Sequence, residues 1–315
     1  MSEPILTTKD LRKSYGNLVA VKGISFSVLR GEIFSLLGPN GAGKTTTISM
    51  LSCLLEPTGG DAEIGGHSIK KDPMAVKRLI GIVPQELALY PPLTARQNLI
   101  FWGRMHGMGG KSLQERIEES LEQVGLQDRA NDRVEKFSGG MKRRLNIAIG
   151  LIHKPELIFM DEPTVGIDPQ SRRRILDMVK DLKAQGMTVL YTTHYMEEAA
   201  ELSDRVGIID QGELIALGSL RELTRFVGDQ QTLRLDFDEQ PVQEEQVHLF
   251  QDVDGVTSVT TTDGQIVLTV AEAEAVLPEV MTTVHQIGLR IRSVNIEEPN
   301  LESVFLHLTG KVLRD

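Results

Sequence analysis

The chemistry-bearing residues of this 315-residue chain lie in short strings that are widely separated in sequence. The first, Gly38-Pro39-Asn40-Gly41-Ala42-Gly43-Lys44-Thr45, fits the spacing G-x-x-x-x-G-K-[ST]. Glycines at 38, 41 and 43 carry no Cβ, so the loop can turn tightly and aim successive backbone N–H groups at an anion. Asn40, Ala42 and Thr46 belong to the same phosphate-facing stretch. A helix running on from the loop adds the positive end of its dipole. Lys44 can neutralise the β and γ phosphates of a nucleotide, and Thr45 offers a hydroxyl to Mg²⁺, a hard cation that prefers oxygen.

The remaining requirements of such a site lie downstream. Asp161-Glu162 follows the apolar run Leu157-Ile158-Phe159-Met160, and His194 follows a second β-branched and apolar stretch, Met187 to Thr193. Asp161 suits Mg²⁺ held through water, while Glu162, one residue on and pointing elsewhere, suits polarisation of an attacking water. His194 can donate to a γ-phosphate, and the Gln85 amide can reach Mg²⁺ or the water. Alone, each has an ordinary reading: a solvated pair of acids, a structural histidine, a loop glutamine. The phosphate loop makes the functional reading the stronger one.

Strands must bring these residues together. Ile33, Phe34, Leu36 and Leu37 before the loop and Met187 to Thr193 read as strands, and Leu157 to Met160 as a strand buried on both faces of a parallel sheet, whose C-terminal edge sits beside the phosphate loop. A helix is expected over Thr45–Leu55, with Cys53 inside it as a small apolar residue, and a hairpin from Ile24, Phe26 and Val28 to Ile33, turned at Arg30-Gly31. Thr94–Gly107 and Ser112–Val124 read as helices behind Pro91 and Pro92, and Val206–Leu217 as a hairpin turned at Gln211-Gly212. Ser138-Gly139-Gly140 precedes a helix over Met141–Ile152, which presents a second anion-binding N-terminus; Lys142-Arg143-Arg144 reads as that helix's solvated face.

In order, Tyr15, the phosphate loop, Gln85, Ser138-Gly139-Gly140, Asp161-Glu162, Asp168 and His194 resemble the A-loop, Walker A, Q-loop, signature, Walker B, D-loop and H-loop of ABC-type ATPases. The resemblance spans roughly residues 4 to 218. It departs from the commoner Leu-Ser-Gly-Gly-Gln signature at Phe137 and Met141. It implies ATP and Mg²⁺ as ligands, Tyr15 stacking on adenine, and two cassettes paired head to tail. Ser138, Gly139 and Gly140 of one would then close over the nucleotide of the other, with Asp168 linking the two sites. It also implies a membrane permease docked on a helical subdomain, about residues 86 to 150, where Leu87, Leu89, Tyr90, Phe101 and Trp102 either line the contact or pack the subdomain's core.

Composition marks the end of the cassette. Residues 1–219 carry 27 basic and 27 acidic side chains; residues 220–315 carry 7 and 17, so the whole net charge of −10 belongs to the C-terminal part. There Thr232–Phe237, Glu244–Gln251, Val256–Thr261, Gln265–Val270, Ala273–Ile287 and Leu289–Ile296 read as βαββαβ, with a turn at Asp263-Gly264. The expected fold is therefore α/β: a P-loop cassette with antiparallel β and helical subdomains, plus a small α+β, ferredoxin-like C-terminal domain. The amphipathic close, Leu301, Val304, Phe305 and Leu308, resembles the end of the C-terminal domain of drug-type and lipid-type ABC exporter ATPases, which implies regulation or dimer support; a passive appendage fits equally.

No apolar run approaches the roughly 18 residues that span a bilayer, no signal peptide is expected, and a single cysteine allows no disulfide framework or zinc site. The expectation is a cytoplasmic protein, peripheral on the inner membrane face, that pairs as a homodimer and powers a separately encoded permease, an exporter by resemblance. The alternative is a soluble ABC ATPase of translation or nucleic-acid maintenance. An acidic C-terminal part matches a phosphodiester backbone poorly, so no nucleic-acid partner is expected.

Overall fold

The protein is described by a computed structural model covering residues 3–225, 231–238, 247–262, 265–297 and 300–310, which divide between two compact units, Met1–Leu217 and Gly218–Arg314. In the first unit, β1 (Pro4–Tyr15), β2 (Leu18–Ile24) and β3 (Ser27–Leu29) form an antiparallel sheet, with β2 and β3 both paired to β1. The chain then leaves that sheet. β4 (Ile33–Leu37) enters a second one before β5 (Gly59–Ile64) and β6 (His67–Ser68) return to the first. The second sheet, in the order β11-β10-β4-β9-β8-β7, adds β7 (Ile80–Val83), β8 (Leu157–Asp161), β9 (Thr188–Thr193), β10 (Arg205–Asp210) and β11 (Glu213–Gly218). Its strands run parallel from β10 through β7.

The hairpin expected at Arg30-Gly31 does not form. Leu29 pairs with Pro4 in one sheet, whereas Ile33 pairs with Val189 in the other. Every residue of β4 is buried, so the strand needs neighbours on both edges and cover on both faces, which a hairpin on a half-exposed sheet cannot supply.

Seven helices of this unit are described: α1 (Lys44–Leu51), α2 (Pro73–Leu79), α3 (Ala95–Met105), α4 (Gly110–Gln123), α5 (Gly139–Leu151), α6 (Pro169–Ala184) and α7 (Met196–Leu202). α1 is shorter than expected: the Ser49 carbonyl accepts from both Leu54 N (2.9 Å) and Leu55 N (3.0 Å), closing the last turn. Cys53 therefore lies beyond the helix, half-buried, at a φ of 57°. α3 begins where its sequence says it should. Thr94 accepts from Gln97 N at 3.1 Å and Gln97 returns the bond to Thr94 N at 2.9 Å, a capping box worth about 1 kcal/mol. The apolar face of α4 (Leu113, Ile117, Leu121) meets Leu99 of α3 and Leu145 and Ile149 of α5, in one core that continues into Ile158 and Val189 of the sheet. Burying each such side chain contributes roughly 1.5–3 kcal/mol, so the helical subdomain is anchored to the strands that carry the site.

In the second unit, α8 (Leu220–Thr224) precedes β12 (Gln231–Phe237), β13 (Val256–Thr262), β14 (Gln265–Val270), α9 (Ala273–Gln286), β15 (Ile291–Glu297) and α10 (Leu301–Thr309). The antiparallel sheet has the order β13-β14-β12-β15, the ferredoxin-like arrangement in which the first strand lies between the third and fourth. Ala273, Val276, Val280 and Val284 of α9 pack on Leu233, Leu235 and Leu268 of the sheet. Of the helix expected over Glu244–Gln251, residues 244–246 lie outside the described residues; Val247 and His248 are helical and the chain then turns. The Asp263-Gly264 turn also lies outside them.

Candidate nucleotide site

Beside the first turn of α1 lies a cleft of about 360 Å³, lined by Tyr15, Asn40, Gly41, Gly43, Lys44, Thr45, Thr46, Gln85 and Glu162, with Leu18 and Ala20. The loop wraps its anion-binding face around this space because Gly43 sits at a φ of 104°, with its α-carbon so near the Ala20 carbonyl that a Cβ would stand 2.7 Å from that oxygen. Any side chain there would strain the backbone and push the loop off β2. Gly38 and Ala42 stand behind the cleft: Ala42 packs with Leu36 and Ile209, and the Gly38 carbonyl accepts from Lys44 Nζ at 2.6 Å. Tyr15 is 48% exposed at the end of the β1–β2 hairpin and lines the cleft, with Lys13 Nζ 5.3 Å over its ring centroid.

The two acids at the end of β8 diverge because Glu162 adopts a left-handed φ of 44°. This conformation costs a non-glycine residue about 1–3 kcal/mol and is held by bonds from Glu162 N to the Thr192 hydroxyl (3.0 Å) and carbonyl (3.2 Å). Asp161 accepts from Thr192 Oγ1 at 2.7 Å, and the nearby Thr45 hydroxyl favours its charged form. Burial, reinforced by the Glu162 charge, pushes the Asp161 carboxyl up from the usual range against those hydrogen bonds and Lys44. Glu162 has its own partners: Lys44 Nζ lies 3.0 Å and His194 Nδ1 3.2 Å from Oε1, and Gln85 Nε2 donates to Oε2 at 3.3 Å. Lys44 and Glu162 side chains are 4% and 6% exposed. The sheet thus brings three residues from separate segments, Lys44, His194 and Gln85, to within hydrogen-bond reach of one carboxylate.

Thr45 and Asp161 offer a hydroxyl and a carboxylate oxygen beside the loop, the oxygen donor chemistry that Mg²⁺ prefers. The residues present fit Mg²⁺ completed by waters and phosphate oxygens.

Ser138, Gly139, Gly140 and Asp168 do not line this cleft. Ser138 caps α5, accepting from Met141 N at 3.3 Å, and Asp168 caps α6, accepting from Ser171 N at 3.0 Å. The two helix starts are neighbours: a Cβ on Gly140 would meet Ser171 Oγ at 2.2 Å. Lys142-Arg143-Arg144 is not a solvated face. Arg143 is 5% exposed and donates to the carbonyls of Pro84 (2.9 Å) and Gln85 (2.8 Å), while Arg144 bonds those of Val124 and Gly125. Arg143 therefore fixes the Gln85 loop, a role that a charge run in sequence does not disclose. Thr192, which orients both acids, was equally hidden inside a β-branched strand.

Residues 21–165 match the ABC transporter family and residues 218–309 the C-terminal domain of DrrA1-3-like ATP-binding proteins. The linearmycin resistance ATP-binding protein LnrL of Bacillus subtilis (strain 168) is 49% identical over 315 residues, covering 99% of this chain and all of that protein. The chain belongs to the ABC transporter ATP-binding proteins.

Other relatives extend the same family. The daunorubicin/doxorubicin resistance ATP-binding protein DrrA of Streptomyces peucetius is 37% identical over 97% of this chain and 92% of its own length. The Nod factor export ATP-binding protein I of Ralstonia nicotianae is 38% identical over 100% and 96%. Among solved structures, an ATP-binding subunit of an ABC transporter superposes with a TM-score of 0.64 at 31% identity, over 71% of this chain and 93% of the other. A dimeric cassette in a post-hydrolysis state bound to ADP and Pi superposes with a TM-score of 0.62 at 29% identity, over 68% and 98%. This ABC ATP-binding protein is accordingly an ATPase that energises a separate permease, in the drug-exporter branch of the family. Nothing in these relatives speaks for the nucleic-acid alternative. No helix among the described residues is long and apolar enough to cross a membrane.

Proposed function

We propose that the cleft binds Mg²⁺ and ATP, and that hydrolysis occurs where two copies of the chain meet head to tail on the inner face of the cell membrane, driving export of an amphipathic small molecule through an integral-membrane permease. The observation that carries the reading is the Glu162 carboxylate held among Lys44, His194 and Gln85 at the mouth of the phosphate loop. Tyr15 stacks on adenine, and the N–H groups of Asn40 to Thr46 with the α1 dipole hold the phosphates. Lys44 and His194 stabilise charge on the γ-phosphoryl oxygens. Glu162, with Gln85, orients a water and accepts its proton as the water oxygen attacks the γ-phosphorus and ADP leaves. Thr45, Asp161 and Gln85 would hold Mg²⁺, which when bound neutralises charge on the β and γ oxygens.

Ser138, Gly139, Gly140 and Asp168 are assigned to the partner's nucleotide: the α5 N-terminus is an anion-binding end with no phosphate of its own chain to face. The boundary falls after residue 219, and residues 220–315 support the dimer. Leu87, 41% exposed, and Tyr90, 42% exposed with its ring against that of Phe101, are assigned to the permease contact. Export follows the relatives named for drug resistance and Nod factor export.

Two experiments test this. Specific ATPase rate should fall as the protein is diluted, and for residues 1–219 alone it should fall at higher concentration than for the full chain. An undiminished rate in isolated monomers would overturn the shared site, equal dilution curves would remove the support role, and insoluble residues 1–219 would overturn the boundary. In inside-out vesicles carrying its permease, an anthracycline should accumulate only with the chain and ATP. Accumulation that ignores the Glu162→Gln variant would sink the exporter reading.

A further inference from the structure

Behind the Glu162–His194 pair lies a buried polar cluster. Glu198 of α7 is 3% exposed, and its Oε2 accepts from Tyr191 Oη (2.8 Å), Thr164 Oγ1 (3.0 Å) and Thr193 Oγ1 (3.2 Å). Burial and the Glu198 charge keep the Tyr191 phenol neutral and donating. Thr164 lies two residues beyond Glu162, and Thr193 immediately precedes His194. One carboxylate oxygen thus ties the chain after β8 to the end of β9, the two segments that must hold Glu162 and His194 in register.

The other oxygen, Oε1, has no hydrogen bond and faces Arg172 Nε, also without one, across 3.7 Å. Arg172 lies in the first turn of α6, and its backbone N–H donates to the carbonyl of the cap residue Asp168 at 2.9 Å. Its guanidinium lies 4.4 Å over the Tyr195 ring, and that ring is 4.2 Å from the His194 ring. A contiguous path therefore runs from Asp168 through Arg172 to His194 by stacking, and to Glu162 by the Glu198 tie. A buried carboxylate adds little stability over an apolar packing of the same volume, so its presence here calls for a positional role. The Arg172–Glu198 pair stands at 3.7 Å, beyond hydrogen-bond distance, so a small displacement of α6 would be enough to close or open it.

We infer that Arg172 and Glu198 are positioning residues that transmit the placement of Asp168, at the start of α6, to the Glu162–His194 pair. The inference rests on the proposed ATPase reading: Asp168 meets the partner cassette, and Arg172 makes the catalytic geometry of one site depend on that contact. Neither residue touches nucleotide.

The test uses the full chain with R172A, R172K, E198Q, D168A and the D168A/R172A double variant, measuring kcat and KM for ATP, ADP affinity and the thermal unfolding midpoint. R172A and E198Q should lower kcat by about tenfold or more while KM and ADP affinity stay within about twofold, and any fall in midpoint should be small because Glu198 Oε2 keeps its three hydroxyl partners in R172A and the E198Q amide can still bond them. R172K should retain part of the rate, keeping the charge but not the planar stack. R173A, an exposed change on the same turn that removes pairs to Asp177 and Glu201, should match the parent. The double variant should cost no more than the worse single one. A parent-like kcat in R172A, a parallel loss of ADP affinity and unfolding midpoint, or single effects that multiply in the double variant would each overturn the coupling. A parent protein without any ATPase activity would instead strike at the functional reading itself.

Discussion

Glu162→Gln is expected to lower kcat by about 10²–10⁴-fold while ATP binding stays intact and the protein accumulates as a nucleotide-trapped dimer. The amide keeps the volume of the carboxylate but cannot accept the proton of the attacking water. Asp161 and Thr45 are untouched, so the Mg²⁺ donors survive. Removing the carboxylate charge also releases Lys44, now 3.0 Å from Oε1, to the phosphates, so affinity should hold or rise. Single-turnover hydrolysis and gel filtration with Mg²⁺ and ATP check this; monomeric elution, or a rate within about threefold of the parent, would remove Glu162 from its role.

Lys44→Ala carries the second large effect, with a loss of nucleotide affinity of about 10–100-fold, the worth of a charge-assisted contact of about 1.5–3 kcal/mol. The ammonium also bridges the Gly38 and Pro39 carbonyls (2.6 and 3.0 Å) and compensates the Glu162 charge in a pair that is almost fully buried. Its removal leaves that carboxylate with His194 and Gln85 alone, so the variant should also unfold at lower temperature without nucleotide. Calorimetric titration with ATP measures the first effect and thermal unfolding the second. Affinity equal to the parent's would refute the assignment.

Local chemistry was readable from the chain alone wherever a few consecutive residues decide the outcome. Gly38 to Thr45 specify a loop that only glycine-rich backbone can form; Thr94 with Gln97, and Ser138 before α5, start helices through bonds spanning three residues. The buried runs ending in Asp161 and Thr193 announced parallel strands, and period-two segments in residues 220–315 announced a sheet whose observed order is the ferredoxin-like one. The charge step at residue 219 and the family resemblance were equally visible.

Partner choice across long separations was not. The turn at Arg30-Gly31 looks the same whether β4 folds back on β3 or crosses to a second sheet, and only the burial of all five β4 residues selects the crossing. Arg143 reads as one charge in a basic run until α5 packs beside the Gln85 loop and its guanidinium finds two carbonyls there. Arg172 and Glu198 carry no motif between them, yet folding places them behind the Glu162–His194 pair. A side chain's type states which bonds it can make, and short-range spacing states which helix or strand it joins. Which distant group satisfies it depends on how buried faces close over one another, a condition set by the whole chain at once.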